Sequence, residues 1–285
     1  MKNGLVLEGG AMRGLFTAGV LDVLMENQVT FDAAIGVSAG AAFGCNLKSK
    51  QIGRTIRYNI RFCKDPRYCS IASWLLTGNL YGGKFDYERI PLELDKWDKE
   101  TFVNNPMKFY VVATNARNGK ALYHECKKGD EGDLRWIQGS ASMPLASKPI
   151  KIHGFELLDG GISDSIPYNF FSHIGYEHSI LVLTRPITYC KKPFNSKFQK
   201  ILEKGLQHYP AIYQRLLHRH EEYNRQVEEI MKLEEEGKVL VIRPQEELGI
   251  GAVSHNAQEM MRVYELGRLE GMKNLEKIKS FLYEN

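Results

Sequence analysis

The chain has 285 residues, 43% of them apolar and 25% charged, with a formal net charge of +4 at pH 7. That is ample material for a buried core, and the modest charge excludes the strongly basic stripe of a duplex-binding protein, so no nucleic-acid partner is expected. Five scattered cysteines (Cys45, Cys63, Cys69, Cys126, Cys190) lack C-x-x-C pairs, the N-terminal apolar run is cut short by Glu8, and no uncharged run approaches the ~20 residues that span a bilayer. The expectation is therefore a cytoplasmic protein whose contact with any membrane is peripheral.

In chain order, Leu5-Val6-Leu7 is a short buried-strand candidate, Phe16, Val20, Leu21 and Leu24 recur at helical spacing, and Phe31 to Ile35 form a second strand candidate. This is a βαβ pattern. Residues 45–104 interrupt it with a basic stretch (Lys48, Lys50, Arg54, Arg57, Arg61, Lys64, Arg67) and then Trp74-Leu75-Leu76-Thr77-Gly78-Asn79-Leu80-Tyr81-Gly82-Gly83, which reads as a cap-like insertion. Phe109 to Ala113 and Ile180 to Leu183 supply further strands, and the alternation predicts a three-layer α/β/α sandwich around a mostly parallel sheet. Beyond about residue 195 the chain turns to long charged helices, with Ile212, Leu216, Tyr223, Val227 and Ile230 on one face, Gly237 as a stop, one more strand at Val239 to Ile242, and a last helix from about Asn256. The expected division is 1–195 for the catalytic domain and 196–285 for a mainly helical C-terminal extension.

Three motifs carry chemistry. Gly36-Val37-Ser38-Ala39-Gly40 follows a strand and opens an apolar segment, the setting of a nucleophile elbow, in which the flanking glycines leave room for a sharp turn. Alone it also fits an ordinary glycine-rich turn with serine near a helix N-cap. Gly9-Gly10-Ala11-Met12-Arg13-Gly14 lies between strand and helix, where consecutive backbone N–H groups at the positive helix end cradle an anion or a developing oxyanion. Ala11 occupies the third position of that run, where a dinucleotide fingerprint needs glycine, and no G-K-[ST] follows. Leu157-Leu158-Asp159-Gly160-Gly161 ends an apolar run in a carboxylate and two glycines, a pattern that by itself also marks a common turn.

The three motifs in this order resemble the patatin-like phospholipase family over roughly residues 4 to 190, and Gly139-Ser140-Ala141-Ser142-Met143-Pro144 is similar to that family's segment between nucleophile and aspartate. The resemblance implies a serine acyl hydrolase in which Ser38 is the nucleophile and Asp159 the base of a dyad. It implies an oxyanion hole formed by Gly9, Gly10 and Ala11 with Arg13 steadying the loop, and Gly14, Gly36, Gly40, Gly160 and Gly161 as motif glycines. The family has glycine where this chain has Ala11. The implied substrate is a fatty-acyl ester of phospholipid or lysophospholipid type, and no metal or other cofactor is implied. Trp74, Leu75, Leu76, Leu80 and Tyr81 are candidates to line an acyl pocket, to touch a bilayer, or to pack in the core, and the basic stretch is either a headgroup contact or a solvated helix face.

Two other readings stand beside this one. An α/β-hydrolase with a Ser-Asp-His triad would draw its histidine from His173, His178, His208, His218, His220 or His255. A lipid-binding or scaffolding protein that keeps the fold without useful activity would explain Ala11. The residues name no oligomeric state.

Overall fold

The computed structural model describes residues 2–284. Its centre is one eight-stranded sheet. Five strands run parallel, in the spatial order β3 (Lys108–Asn115), β2 (Ala33–Val37), β1 (Asn3–Leu7), β7 (His178–Val182), β8 (Val239–Ile242). Three antiparallel strands, β4 (Ala121–Cys126), β5 (Ile150–Ile152) and β6 (Phe155–Asp159), complete it on the β3 side. The parallel strands are mostly buried on both faces, which explains their largely apolar composition.

Alternate side chains serve two cores. Leu5, Leu7, Ala34, Phe109 and Val182 face a layer that includes α1 (Gly14–Glu26), α2 (Ala39–Lys48), α3 (Arg54–Phe62) and α10 (Ala257–Lys273). Val6, Ile35, Val37, Val112 and Leu181 face α7 (Tyr168–His173) and the 26-residue α9 (Pro210–Glu235). The expected three-layer α/β/α arrangement is thus present. The C-terminal part supplies the edge strand β8 and a helix to each layer. α10 crosses α1 so closely that Gly19 faces the carbonyl of Tyr264 and Gly267 that of Phe16, in places where a β-carbon would collide with backbone. The hydroxyl of Tyr264 donates to Asp22 Oδ2 at 2.7 Å across the same contact. α9 ends where Gly237 takes φ +69° and its N–H returns to the Glu234 carbonyl.

The sequence patterns located β1, β2, β3, β7 and β8 within two residues, and Asn256 is the N-cap of α10 through its side-chain oxygen. β4 and β5 carry no comparable apolar run, and β5 is only three residues long. In the basic stretch Lys50, Arg57, Arg61, Lys64 and Arg67 are exposed, as the solvated-face reading expected, and Lys48 and Arg54 depart from it. Lys48 is buried and donates to the carbonyls of Asn105 and Met107, Arg54 is buried with Asp95, and Arg57 also pairs with Asp95 at 2.7 Å. These cations hold residues 94–107 against α2 and α3 instead of facing a headgroup.

Candidate active site

β3 aligns the two motif turns. β4 covers one of its edges from Phe109 to Thr114, so β2 and β6 must share the other, end to end. Val37 of β2 lies opposite Val112, and Asp159 of β6 lies opposite the next residue, Ala113. Ser38 and Asp159 therefore leave the sheet side by side, although 121 positions separate them in the chain.

Ser38 occupies φ 54°, ψ −118°, outside the ordinary range for a residue with a side chain, and directly precedes α2. Such a backbone stores about 1–3 kcal/mol and is retained only where the surroundings enforce it. Here a β-carbon on Gly36 would lie 2.5 Å from the Gly40 carbonyl oxygen, and one on Gly40 would strike the Leu7 carbonyl, so both glycines are sterically required. The Ser38 N–H donates to Ser140 Oγ at 2.8 Å. Two residues later, the Ser142 carbonyl accepts the Asp159 N–H, also at 2.8 Å. The short Ser/Ala run thus fastens the nucleophile turn and the aspartate turn to one segment. Sequence reading noticed this run but assigned its serines no contact.

Asp159 is buried, and its carboxylate accepts the Gly161 N–H at 2.8 Å. Burial raises its pKa above the ordinary carboxylate value, while the neighbouring Ser38 side chain, the charge of Arg219 and the Gly161 N–H oppose that rise. Gly160 leaves no room for a β-carbon against the Val112 carbonyl. Arg219 on α9 donates through Nε to the Gly161 carbonyl and so braces the turn from outside the motif.

The glycine loop lies against the elbow: a β-carbon on Gly9 would sit 3.0 Å from that of Ser38, and one on Gly14 would sit 2.7 Å from that of Ala39. Ala11 adopts φ 48°, the left-handed conformation that alanine resists. Among the described residues the N–H groups of Gly9, Gly10 and Ala11 meet no acceptor, which leaves three loop donors near Ser38. Arg13 holds the loop through its backbone N–H to the Gly10 carbonyl at 3.1 Å. Its guanidinium makes no such bond, and its Nε is buried without a partner.

Glu8 precedes the loop as a buried carboxylate that accepts from the Tyr223 hydroxyl at 2.8 Å and from both the N–H and the hydroxyl of Thr184. Tyr223 and Arg219 are four residues apart on α9, so one helix face reaches both the glycine loop and the aspartate turn. No motif in residues 196–285 signalled this role.

Two cavities meet at Ser38. One, of about 260 Å³, is mainly apolar and is walled by Met12, Phe43, Leu80, Tyr87, Ile90 and Ile137 among others. The other, of about 210 Å³, also includes Asp159, Gly9 and Gly10. Ala11, Ser38, Met143 and Ala252 line both. No histidine lines either. His255 is bonded to the Cys63 carbonyl, His178 to that of Phe281 and His173 to that of Asn169, while His208 and His218 are exposed and His220 contacts the Leu217 carbonyl. Leu80 and Tyr81 line the apolar cavity, as one reading expected, whereas Leu75 and Leu76 are 72% and 86% exposed on α4 (Ile71–Thr77).

Among the described residues one group resembles a metal-ligand set: the donor atoms of His124, Cys126 and Asp133 lie within 4.8 Å of one another. The Asp133 oxygens are already engaged by His124 and by the N–H groups of Lys128 and Gly129, and the group lines neither cavity at Ser38. Among the described residues no helix is long and apolar enough to cross a membrane.

Comparison with known proteins identifies the family. A family model described as a patatin-like phospholipase matches residues 5–171, and a second, described as a domain of unknown function (DUF6363), matches residues 209–283. YjjU of Escherichia coli strain K12, described as uncharacterized, is 28% identical over 98% of this chain and 79% of its own length. Lysophospholipase NTE1 of Candida albicans is 28% identical over 63% of this chain, which spans only 13% of that protein. The crystal structure of VipD from Legionella pneumophila aligns with a TM-score of 0.48 at 14% identity, covering 97% of this chain and 67% of VipD. With the family model matched over more than half of its length, the chain belongs to the patatin-like phospholipase family, whose members are lipid acyl hydrolases.

Proposed function

We propose that the protein is a serine hydrolase of fatty-acyl lipid esters, of phospholipid or lysophospholipid type, acting through a Ser38–Asp159 dyad and an acyl-enzyme. The observation that carries this reading is the buried Asp159 carboxylate set beside the Ser38 side chain, which favours its charged form, at the point where two cavities meet. An aspartate of ordinary pKa, ~3.9, is a poor base for a serine proton. Burial makes Asp159 more basic and so better matched to the task.

As Ser38 Oγ attacks the ester carbonyl, its proton passes to Asp159, and the developing oxyanion takes the free N–H groups of Gly10 and Ala11. One such donor is worth about 3 kcal/mol in the transition state. The protonated carboxyl then gives its proton to the leaving alcohol. Water, activated by the same carboxylate, hydrolyses the acyl-enzyme.

We assign the acyl chain to the apolar cavity and the role of cap to residues 45–104, which contribute Tyr58, Tyr68, Leu80, Tyr87 and Ile90 to its wall. Peripheral membrane contact through Ile71, Leu75 and Leu76 of α4 belongs to the same proposal, since all three are exposed beside the cavity-lining Leu80. So does a cytoplasmic setting, on the ground of the five unpaired cysteines. The Ser-Asp dyad is preferred to a triad because the partners of Asp159 are Ser38, Gly161 and Arg219.

The test is labelling by a fluorophosphonate together with turnover of a p-nitrophenyl acyl ester. Wild type is expected to do both, and Ser38→Ala neither, while keeping the wild-type circular dichroism. Turnover retained in pure Ser38→Ala overturns the assignment. Vesicle binding without labelling would favour the lipid-binding reading, for which the strained Ala11 is the specific support.

A further inference from the structure

The second cavity at Ser38 is not apolar. Arg13, Arg185, Lys191 and Arg219 all line it, and all four are half-buried. Its two acids are already engaged. Asp159 accepts the Gly161 N–H and stands beside Ser38, and the Glu8 carboxylate is taken up by Tyr223 and Thr184. Of the four cations, Arg185 is paired with Glu247, and Arg219 uses Nε on the Gly161 carbonyl. Lys191 faces an aromatic ring instead of a carboxylate, its Nζ lying 4.6 Å from the centre of Tyr223.

The charges are crowded, and among the described residues only Arg185 of the four has a carboxylate in an ion pair. Burial, and then repulsion from Arg219, Arg13 and Arg185 with Glu8 opposing, brings the Lys191 ammonium down to about 7. Burial and Arg185 lower Arg13. A half-buried group of like charges gains from an anion that accepts from several donors at once.

The position of this cavity decides which anion. It shares Ala11, Ser38, Met143 and Ala252 with the apolar cavity, so an ester held at Ser38 with its acyl chain in the apolar cavity has its alcohol portion directed toward the cations. Resting on the dyad reading above, we propose that Arg185, Lys191 and Arg219, with Arg13, form a headgroup subsite for the phosphate of the leaving alcohol, which makes the preferred substrate a phosphate-bearing acyl ester. Arg185, Lys191 and Arg219 lie outside the segment matched to the patatin-like family, and Arg219 falls within residues 209–283, so the specificity for phosphate is supplied by the later part of the chain.

The test uses full-length protein and ligands without an ester, so that it does not depend on catalysis: 1-hexadecyl-glycerol 3-phosphate, 1-hexadecyl-glycerol and inorganic phosphate, titrated calorimetrically below their critical micelle concentrations. The phosphate-bearing ether lipid is expected to bind at least tenfold more tightly than the neutral one. Lys191→Gln and Arg185→Gln should each weaken it about 10-fold or more, as loss of a charge-assisted hydrogen bond does. Lys191→Arg should retain most of the affinity, and circular dichroism checks that each variant is folded. Equal binding of the two ether lipids, or no change in either Gln variant, overturns the subsite. Inorganic phosphate binding as tightly as the lipid overturns the headgroup assignment in favour of a free-anion site. Failure of the dyad shows separately, as absent fluorophosphonate labelling with these affinities intact.

Discussion

The motif turns and helix α9 reach the same site by different physical means. Residues 9–14, 36–40 and 159–161 act through backbone: a strained serine, an alanine at positive φ, glycines packed against carbonyls, and N–H groups free to donate. α9 acts through long side chains, with Arg219 on the Gly161 carbonyl and Tyr223 on Glu8. Backbone geometry places the reacting atoms within a fraction of an ångström, because the peptide is rigid and its surroundings are close-packed. Long side chains instead set the charge and bracing around those atoms. Changes to the turns should therefore cost turnover outright, while changes to α9 should move pH dependence and specificity.

The largest effect is expected from Asp159→Asn, which keeps the shape of the turn and removes the base: a fall of roughly 10⁴ in kcat, near that of a lost triad member. Because burial raises the pKa of Asp159, wild-type kcat/KM should fall on the acid side at a pH above the ordinary carboxylate range, as the base becomes protonated. The same shift has a stability consequence. A carboxyl whose folded pKa is raised contributes stability that is full below its unfolded pKa and is lost as pH rises through the folded one. Asp159→Asn should therefore melt no lower than wild type at pH 7, in a differential scanning measurement, while being inactive. A large drop in melting temperature would show that the carboxylate serves the fold more than the reaction.

The α9 side of the comparison is sharpened by Arg219→Met. Its bond to the Gly161 carbonyl and its charge beside Asp159 are both lost, so kcat should fall about 10- to 100-fold. Loss of the positive charge should also move the acid limb of kcat/KM to higher pH, and Arg219→Lys should restore the limb more fully than the rate. A merely structural arginine would lower activity without moving that limb.

These two means of construction also explain what was legible in the sequence. Ser38, Asp159 and the glycine loop stood out because a turn needs particular residue types at fixed spacing, and the same spacing fixes the backbone. Five of the eight strands were visible as apolar runs, and so was the start of a late helix near Asn256, which the structure makes its N-cap. Tyr223 was placed on the apolar face of its helix but not beside Glu8, and Arg219 was hidden, since a helix accepts arginine at almost any position and only the tertiary fold reveals what these side chains touch. Ser140 and Ser142 lay in a noticed segment, but the Ser38 and Asp159 amides that they receive come from 102 and 17 residues away. Within the basic stretch, Lys48 and Arg54 were hidden for the same reason: carbonyls and Asp95, distant in sequence, make these two internal braces, while the other five cations stay on the solvated face.

Farther from the reaction, the α1–α10 crossing ties the C-terminal part to the first βαβ unit through Gly19 and Gly267. Gly267→Ala forces a β-carbon into the Phe16 carbonyl, and the helices must separate or tilt. Overpacking of this kind costs about 1–3 kcal/mol, to be read as a lower urea midpoint with unchanged slope. Since α1 follows the glycine loop directly, some activity should be lost with it, but less than in Arg219→Met. An unchanged midpoint would mean that the crossing is looser than its geometry.

The smallest effect is expected at Ala11, where the two kinds of construction meet. Its φ of 48° costs an alanine roughly 1–2 kcal/mol that glycine does not pay, but glycine also enlarges the entropy of the unfolded chain by up to about 1 kcal/mol. The two terms nearly cancel, so Ala11→Gly should change the unfolding free energy by no more than about 1 kcal/mol, in the stabilising direction. The N–H of residue 11 survives the substitution, and with it the proposed oxyanion contact. The methyl group that is removed lines both cavities at Ser38, so space is gained beside the nucleophile. Turnover of an acyl ester should be preserved or raised, within about threefold by the small size of the energies involved. A loss beyond tenfold would mean that alanine, by restricting the loop, holds the donors in place better than glycine does, and that strain at this position serves the reaction instead of opposing it.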